Sequence, residues 1–170
     1  IVDEPTAPPL NDRQTITADP VDPCTLYVTW SRFASSSMVP GDILFSRTED
    51  CGATWAAPTI VQSTDPFSIA SQIVVLADGQ LLAFYRDAFR AGSSPIYVER
   101  SADGGQTWPD DPVVIANTPM NLVVSPDGAW VRSSSFDVVM NRETQELYVV
   151  WEFVFDGAPK VALSSSSDGG

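Results

Sequence analysis

Ser101-Ala102-Asp103-Gly104-Gly105-Gln106-Thr107-Trp108 is one copy of a pattern that this chain repeats. Thr48-Glu49-Asp50-Cys51-Gly52-Ala53-Thr54-Trp55 carries the same order with Thr in the Ser position, and Ser166-Ser167-Asp168-Gly169-Gly170 begins it again. The shared order is Ser or Thr, any residue, Asp, any residue, Gly, any residue, Thr, Trp. An Asp carboxylate in a turn accepts hydrogen bonds from main-chain N–H groups a residue or two further on, and Gly supplies the positive φ that reversing the chain requires. Thr then re-enters a strand, and Trp buries a large apolar surface. A chain with one such turn has many folds open to it, whereas equivalent turns at a long period require a repeated unit.

The stretches between the turns show what that unit is. Leu26-Tyr27-Val28-Thr29-Trp30, Leu81-Leu82-Ala83-Phe84-Tyr85 and Leu147-Tyr148-Val149-Val150-Trp151 are short β-rich runs, offset by 55 and 66 residues. Each is preceded by a β candidate (Gln14 to Ala18, Ile73 to Leu76, Phe136 to Met140) and followed by another (Asp42 to Ser46, Pro95 to Arg100, Lys160 to Ser164). A fourth follows the turn at Thr59 to Gln62 and Val113 to Ala116. Four antiparallel strands per repeat, apolar throughout in the second strand rather than alternating, predict sheets buried on both faces, as in the blades of a β-propeller. A β-sandwich also stacks short strands but does not repeat them as four-strand units. The expected blades are 13–62, 68–116 and 132–170, the last without its outer strand, with 1–12 a linker or edge segment. Three blades close no ring, so the natural chain is expected to continue with further blades beyond Gly170.

Composition narrows the function. Twenty-two acidic against nine basic residues give a net charge of −13, which repels phosphate backbones and argues against nucleic acid as a partner. No run approaches the roughly 20 apolar residues of a membrane helix, and no charged-then-apolar leader precedes Ile1, so a removed signal peptide or an excised piece is expected. The chain has no His, which rules out a Ser/His/Asp triad or an imidazole zinc site within it. Asp19-Pro20-Val21-Asp22, Thr64-Asp65 and Asp110-Asp111 lack the alternating oxygen spacing of a calcium loop and read as solvated turns. No metal and no cofactor is expected.

The repeated turn resembles the Asp-box, or BNR repeat, of the sialidase-like β-propellers. The resemblance implies six blades, a structural role for Asp50, Gly52, Trp55, Asp103, Gly105, Trp108, Asp168 and Gly170, and a functional face at the opposite end of the blades. The loops there are Phe33 to Gly41, Asp87 to Ser94 and Phe153 to Pro159, with the crossovers Ser63 to Ser68 and Asn117 to Ser133. Their polar candidates are Asp65, Asp87, Arg90, Arg132 and Asp156. A sialidase-type hydrolase holds its substrate carboxylate with clustered arginines and uses a Tyr with a neighbouring Glu as nucleophile and an Asp as acid/base. Gln72 to Asp87 looks like the first blade of such enzymes and places Asp87 near the acid/base loop, while Arg90, Arg132 and Asp156 are candidate ligand-binding groups. Where the family has an Arg-Ile-Pro arginine this chain has Ile69, and no Arg occurs from Ala56 to Tyr85. The tyrosines Tyr27, Tyr85, Tyr97 and Tyr148 all lie in strand patterns and read as core.

Treating the second and third strands of the first unit as a hairpin with Cys24 opposite Cys51 centres it between Ser37 and Met38. The same register sets Gly79 opposite Gly104 and Gln145 opposite Gly169. It also puts Tyr97 opposite Arg86, with Glu99 the diagonal neighbour in an intrablade ion pair. A Cys24–Cys51 disulfide would stabilise by about 3 kcal/mol and imply an oxidising compartment, hence a secreted or cell-surface protein; two unrelated buried thiols are the other reading. Three functions remain open: a non-catalytic extracellular propeller binding a glycan or protein partner, a sialidase-type exo-glycosidase with its remaining catalytic groups beyond Gly170, or a structural subunit of a surface layer or filament.

Overall fold

The computed structural model describes residues 10–33, 41–62, 68–87, 93–119, 123–124, 130–131, 135–156 and 158–169. All regular structure among them is β. The first sheet is an antiparallel meander of β1 (Leu10–Ala18), β2 (Leu26–Phe33), β3 (Asp42–Thr48) and β4 (Thr59–Gln62). The second repeats it with β5 (Ser68–Val75), β6 (Leu81–Asp87), β7 (Ser93–Ser101) and β8 (Val113–Pro119). Between the second and third sheets, β9 (Val123–Val124) and β10 (Trp130–Val131) form a small two-stranded ladder that the sequence did not suggest. The third sheet has three strands, β11 (Phe136–Met140), β12 (Leu147–Phe155) and β13 (Ala158–Ser166). Consecutive four-strand meanders with an incomplete last one are consistent with part of a propeller, and the described residues do not close into a ring.

Each sheet has a forward face, towards the next sheet, and a back face, towards the one before. Period-2 alternation assigns them. Tyr27, Ile43, Phe45 and Val61 on the forward face of the first sheet form one core with Ile73, Val75, Leu81, Ala83 and Tyr85 on the back face of the second. Val74, Leu82, Phe84 and Val98 on the second sheet's forward face form another with Val138, Leu147 and Val149 of the third. All seven residues of β6 are buried, because this strand lies inside the second sheet, whose two faces are both covered. Hydrogen bonds sew the inner strands together: Thr15 and Thr17 donate to the carbonyls of Ser71 and Ile73, and the Gln72 amide both donates to and accepts from the main chain of Val138.

The ladder corrects the hairpin register by one residue. Arg86 lies opposite Ile96 and Tyr85 opposite Tyr97, and in the first sheet Leu26 pairs Thr48 through to Arg32 with Asp42. Because a single slip moves every side chain to the other face, Arg86 and Glu99 are on opposite sides of the sheet, and the ion pair expected between them does not form. The extra residue enters at the repeated turn. Cys51 there takes a φ of 59°, followed by Gly52 at 88°, and Gly104 and Gly105 repeat the pair at 71° and 84°. This left-handed step brings Cys51 N–H onto the Cys24 carbonyl at 3.0 Å, and the two residues form a disulfide with Cα atoms 4.1 Å apart.

Candidate functional site

The Asp-box turns and the loops at the other end of the sheets are built differently. In the second turn Asp103 accepts from Thr107 Oγ1 (2.6 Å), Thr107 N–H (3.0 Å), Gln106 N–H (3.0 Å) and Ser101 Oγ (2.7 Å). Ser101 Oγ in turn accepts Gly105 N–H at 2.9 Å, so the hydroxyl relays the carboxylate to the turn's second glycine. The first turn repeats this with Thr54, Thr48 and Gly52 around Asp50, and in the third Ser166 donates to Asp168. Donation from the Thr54 and Thr107 hydroxyls, then their amides, then Thr48 and Ser101, holds both Asp50 and Asp103 down at about 2. Both oxygens of each carboxylate are thus engaged inside the turn, Oδ1 by two or three donors and Oδ2 by the Thr hydroxyl.

Gly105 answers to packing as well as to φ. A Cβ there would lie 2.1 Å from the Phe45 ring of the preceding sheet, and Trp108 meets that ring edge-on at 5.4 Å between centroids. Arg47 donates to the Gly104 carbonyl at 3.2 Å, and Arg100 to the Gly169 carbonyl at 2.6 Å. Both arginines stand one residue before the Ser or Thr of their own turn, so each box is tied to the next.

At the opposite end Arg90, Arg132 and Asp65 lie outside the described residues, as does Gly170 at the chain's last turn. Asp87, at the end of β6 and opposite Ser68, is 0% exposed. Its neighbour Arg86 is 1% exposed and projects into the junction of the second and third sheets. There its guanidinium donates to Ser94 Oγ (2.9 Å), the Ser135 carbonyl (3.1 Å) and the Glu152 carbonyl (3.4 Å). Burial lowers the Arg86 pKa, and the Glu152 carboxylate works against that shift. Ser94 Oγ in turn donates to the Asp87 carbonyl at 2.8 Å. Asp156 is exposed with a φ of 51°, between Phe155 and Ala158, which face each other in the ladder. Asp156-Gly157 is the residue pair that two-residue hairpin loops favour. The structure therefore does not bring Asp87 and Asp156 together: the first is enclosed and the second stands at a turn.

Other groups on this end escaped the sequence. Asn11 accepts from Trp30 Nε1 (3.1 Å) and Arg32 Nε (3.2 Å) on the exposed margin of the first sheet. Beside it the inner strand bulges between Asp12 and Thr15, with Arg13 at a φ of 54°. β5 bulges at the corresponding level, between Ile69 and Ser71. Bulges re-aim side chains at strand ends, and reading 1–12 as linker or edge hid this one.

The Tyr and Glu side chains that do meet are in the wrong place for a substrate. Tyr85 and Glu99 are 1% and 2% exposed in the junction of the first and second sheets, where the Tyr85 hydroxyl is the hydrogen-bonding group next to the Glu99 carboxyl. Desolvation, with the charge of Asp110, pushes Glu99 up to about 7. Tyr148 donates to Glu146 at 2.6 Å, at the Asp-box end.

No family model matches the sequence, and no curated protein is significantly similar to it. Solved structures do match in fold. A protein of unknown function from Dyadobacter fermentans superposes with a TM-score of 0.65 at 15% identity, over 94% of this chain and 52% of that one. An endo-arabinase from Bacteroides thetaiotaomicron gives 0.61 at 13%, over 86% and 54%. The Hadza microbial sialidase Hz136 gives 0.60 at 15%, over 94% and 32%. The chain thus spans about half or less of the length of these proteins. At such identities the likeness is of fold alone.

Proposed function

We propose that this chain is part of a secreted or cell-surface propeller module that binds a glycan or protein partner with the loop end of its sheets and does no chemistry there. The enclosure of Asp87 carries this reading: an acid/base must reach the bond it cleaves, and this one is sealed beneath the end of β6. Ile69, standing where the sialidase pattern has arginine, supports it further. So do the positions of Tyr27, Tyr85, Tyr97 and Tyr148, which among the described residues offer no nucleophile to the loop end. The exposed Asn11 and Asp156 and the half-buried Arg32 are the binding candidates there, with Arg90 and Arg132 added from the sequence. The disulfide supports an oxidising, extracellular setting.

The test is binding to an array of acidic and neutral glycans and to extracellular protein fractions, repeated with Arg132→Ala and Asp156→Ala. Binding that these variants weaken, without hydrolysis of a fluorogenic sialoside, supports the module; binding that neither changes would refute the assigned end. A second reading, sialidase-type exo-glycosidase, is favoured by the likeness to Hz136 and requires catalytic groups from sheets outside this chain. Turnover lost in Asp87→Asn would establish it.

A further inference from the structure

At the loop end, β12 finishes on a ring that packing does not require. Leu147 and Val149 set the back face of this strand against the second sheet, and period-2 alternation carries Trp151, Phe153 and Phe155 onto the same face. Trp151 packs against the core, Phe153 is half-buried, and Phe155 is 64% exposed. Phe155 is the one exposed aromatic among the described side chains. The forward face of the third sheet carries Tyr148, Val150, Glu152 and Val154 of this strand instead, so the ring owes its exposure to its place at the tip. In the ladder Phe155 faces Ala158 and Phe153 faces Lys160. A side chain too small to cover the ring therefore stands opposite it. The chain's one lysine is its diagonal neighbour on the same face, at the roughly 7–8 Å spacing of such pairs. Asp156 follows in the turn, exposed. Among the described residues neither the Lys160 ammonium nor the Asp156 carboxylate holds a hydrogen bond or an ion pair.

We propose that this hairpin tip is the sugar-binding element of the loop end: an uncharged sugar ring lies on the face of Phe155, with Lys160 donating to its hydroxyls and Asp156 accepting from them. This assignment rests on the loop end being the binding end, as proposed above, and names its ligand class. A sugar ring has a face of C–H groups that stacks on an aromatic ring, and a rim of hydroxyls that need both a donor and an acceptor. A protein partner is recognised by a contiguous, centrally buried patch, whereas Phe155 stands apart from the other exposed apolar side chains of its sheet. Val139, Val161 and Leu163 all project from the forward face. A polyanionic glycan would meet a single cation beside Asp156 on a chain of net charge −13. An uncharged one meets no such repulsion.

The test is titration of the protein, carbon-13 labelled at Phe, with neutral hexose and pentose oligosaccharides and with the same series bearing uronate. Neutral sugars are expected to shift the Phe155 ring signals, which are assigned by their absence from Phe155→Ala. That variant should bind about tenfold more weakly, Phe155→Trp should retain binding, and Lys160→Met should lose part of it. Because the ring is exposed, Phe155→Ala should melt with the unmodified protein; if it does not, the ring shifts and Phe155→Trp still decide. Neutral-sugar binding that persists in Phe155→Ala but falls in Arg132→Ala would overturn this assignment and keep the loop end. Binding that no loop-end variant changes would sink both. Preference for the uronate series, or a protein partner bound through Phe155 without sugar, would overturn the ligand class. No ring shift with any neutral sugar at millimolar concentration would overturn the proposal outright.

Discussion

Asp103 and Glu99 are carboxylates four residues apart with opposite fates, and the difference is what each can accept. Asp103 takes N–H and O–H donors within its own turn, so its ionised form is favoured and its folded pKa is about 2 against an ordinary 3.8. The stability it contributes is present above pH about 4 and is lost as pH falls towards 2. Asp103→Ala is expected to lower the melting temperature at neutral pH by several degrees, to lose that difference at low pH, and to leave glycan or partner binding unchanged. A binding defect with normal melting would contradict the structural role. Glu99 works in the other sense. Around it lie Tyr85 of β6 and the acids Asp110 and Asp111. Its folded pKa of about 7 exceeds the ordinary 4.5, so stability is full below pH about 4.5 and declines as pH rises to about 7. Melting of Glu99→Gln should be flatter than that of the unmodified chain across this window; parallel profiles would show that Glu99 stays ionised. Asp103 was legible in the sequence because its partners are all local. Glu99 was not, because its environment depends on which face of β7 it occupies, and a register off by one assigned it to Arg86.

At the scale of strands and turns, apolar runs marked where strands exist but not where they end. Thr59–Gln62 and Phe136–Met140 are as the sequence suggested. β1 and β5 run several residues further towards the loop end, largely through polar or small residues whose pairing is enforced by the neighbouring strand, and β12 does so through Glu152-Phe153-Val154-Phe155. The turn between Phe155 and Ala158 has a readable signal in the Asp156-Gly157 pair of the sequence. The disulfide joins the β1–β2 turn to the first box, and its loop closure was legible from two cysteines alone even though the ladder register was not. Cys24→Ser with Cys51→Ser is expected to cost about 3 kcal/mol in denaturant unfolding, with an unchanged β signature by circular dichroism; a loss well under about 1 kcal/mol would mean that Cys51 N–H to Cys24 carbonyl and the neighbouring turn bonds hold this corner without it. Ser165 stands where Arg47 and Arg100 tie one box to the next, so the tie has no equivalent leading out of the third sheet.

Over the whole molecule, sheets that contact only their neighbours make stability a sum of sheet and junction contributions. The second sheet takes part in both junctions, and its β6 is wholly buried. The first and third take part in one each, and the third has only three strands, with β13 exposed along most of its length. Local opening should therefore be graded, since backbone amides exchange through the least costly opening that frees them. Amide exchange by mass spectrometry is expected to be slowest in β6 and β7, intermediate in β2 and β3, and fastest in β12 and β13. Uniform exchange across all three sheets would show one cooperative unit rather than a stack, and slowest exchange in β12 and β13 would overturn the central place of the second sheet.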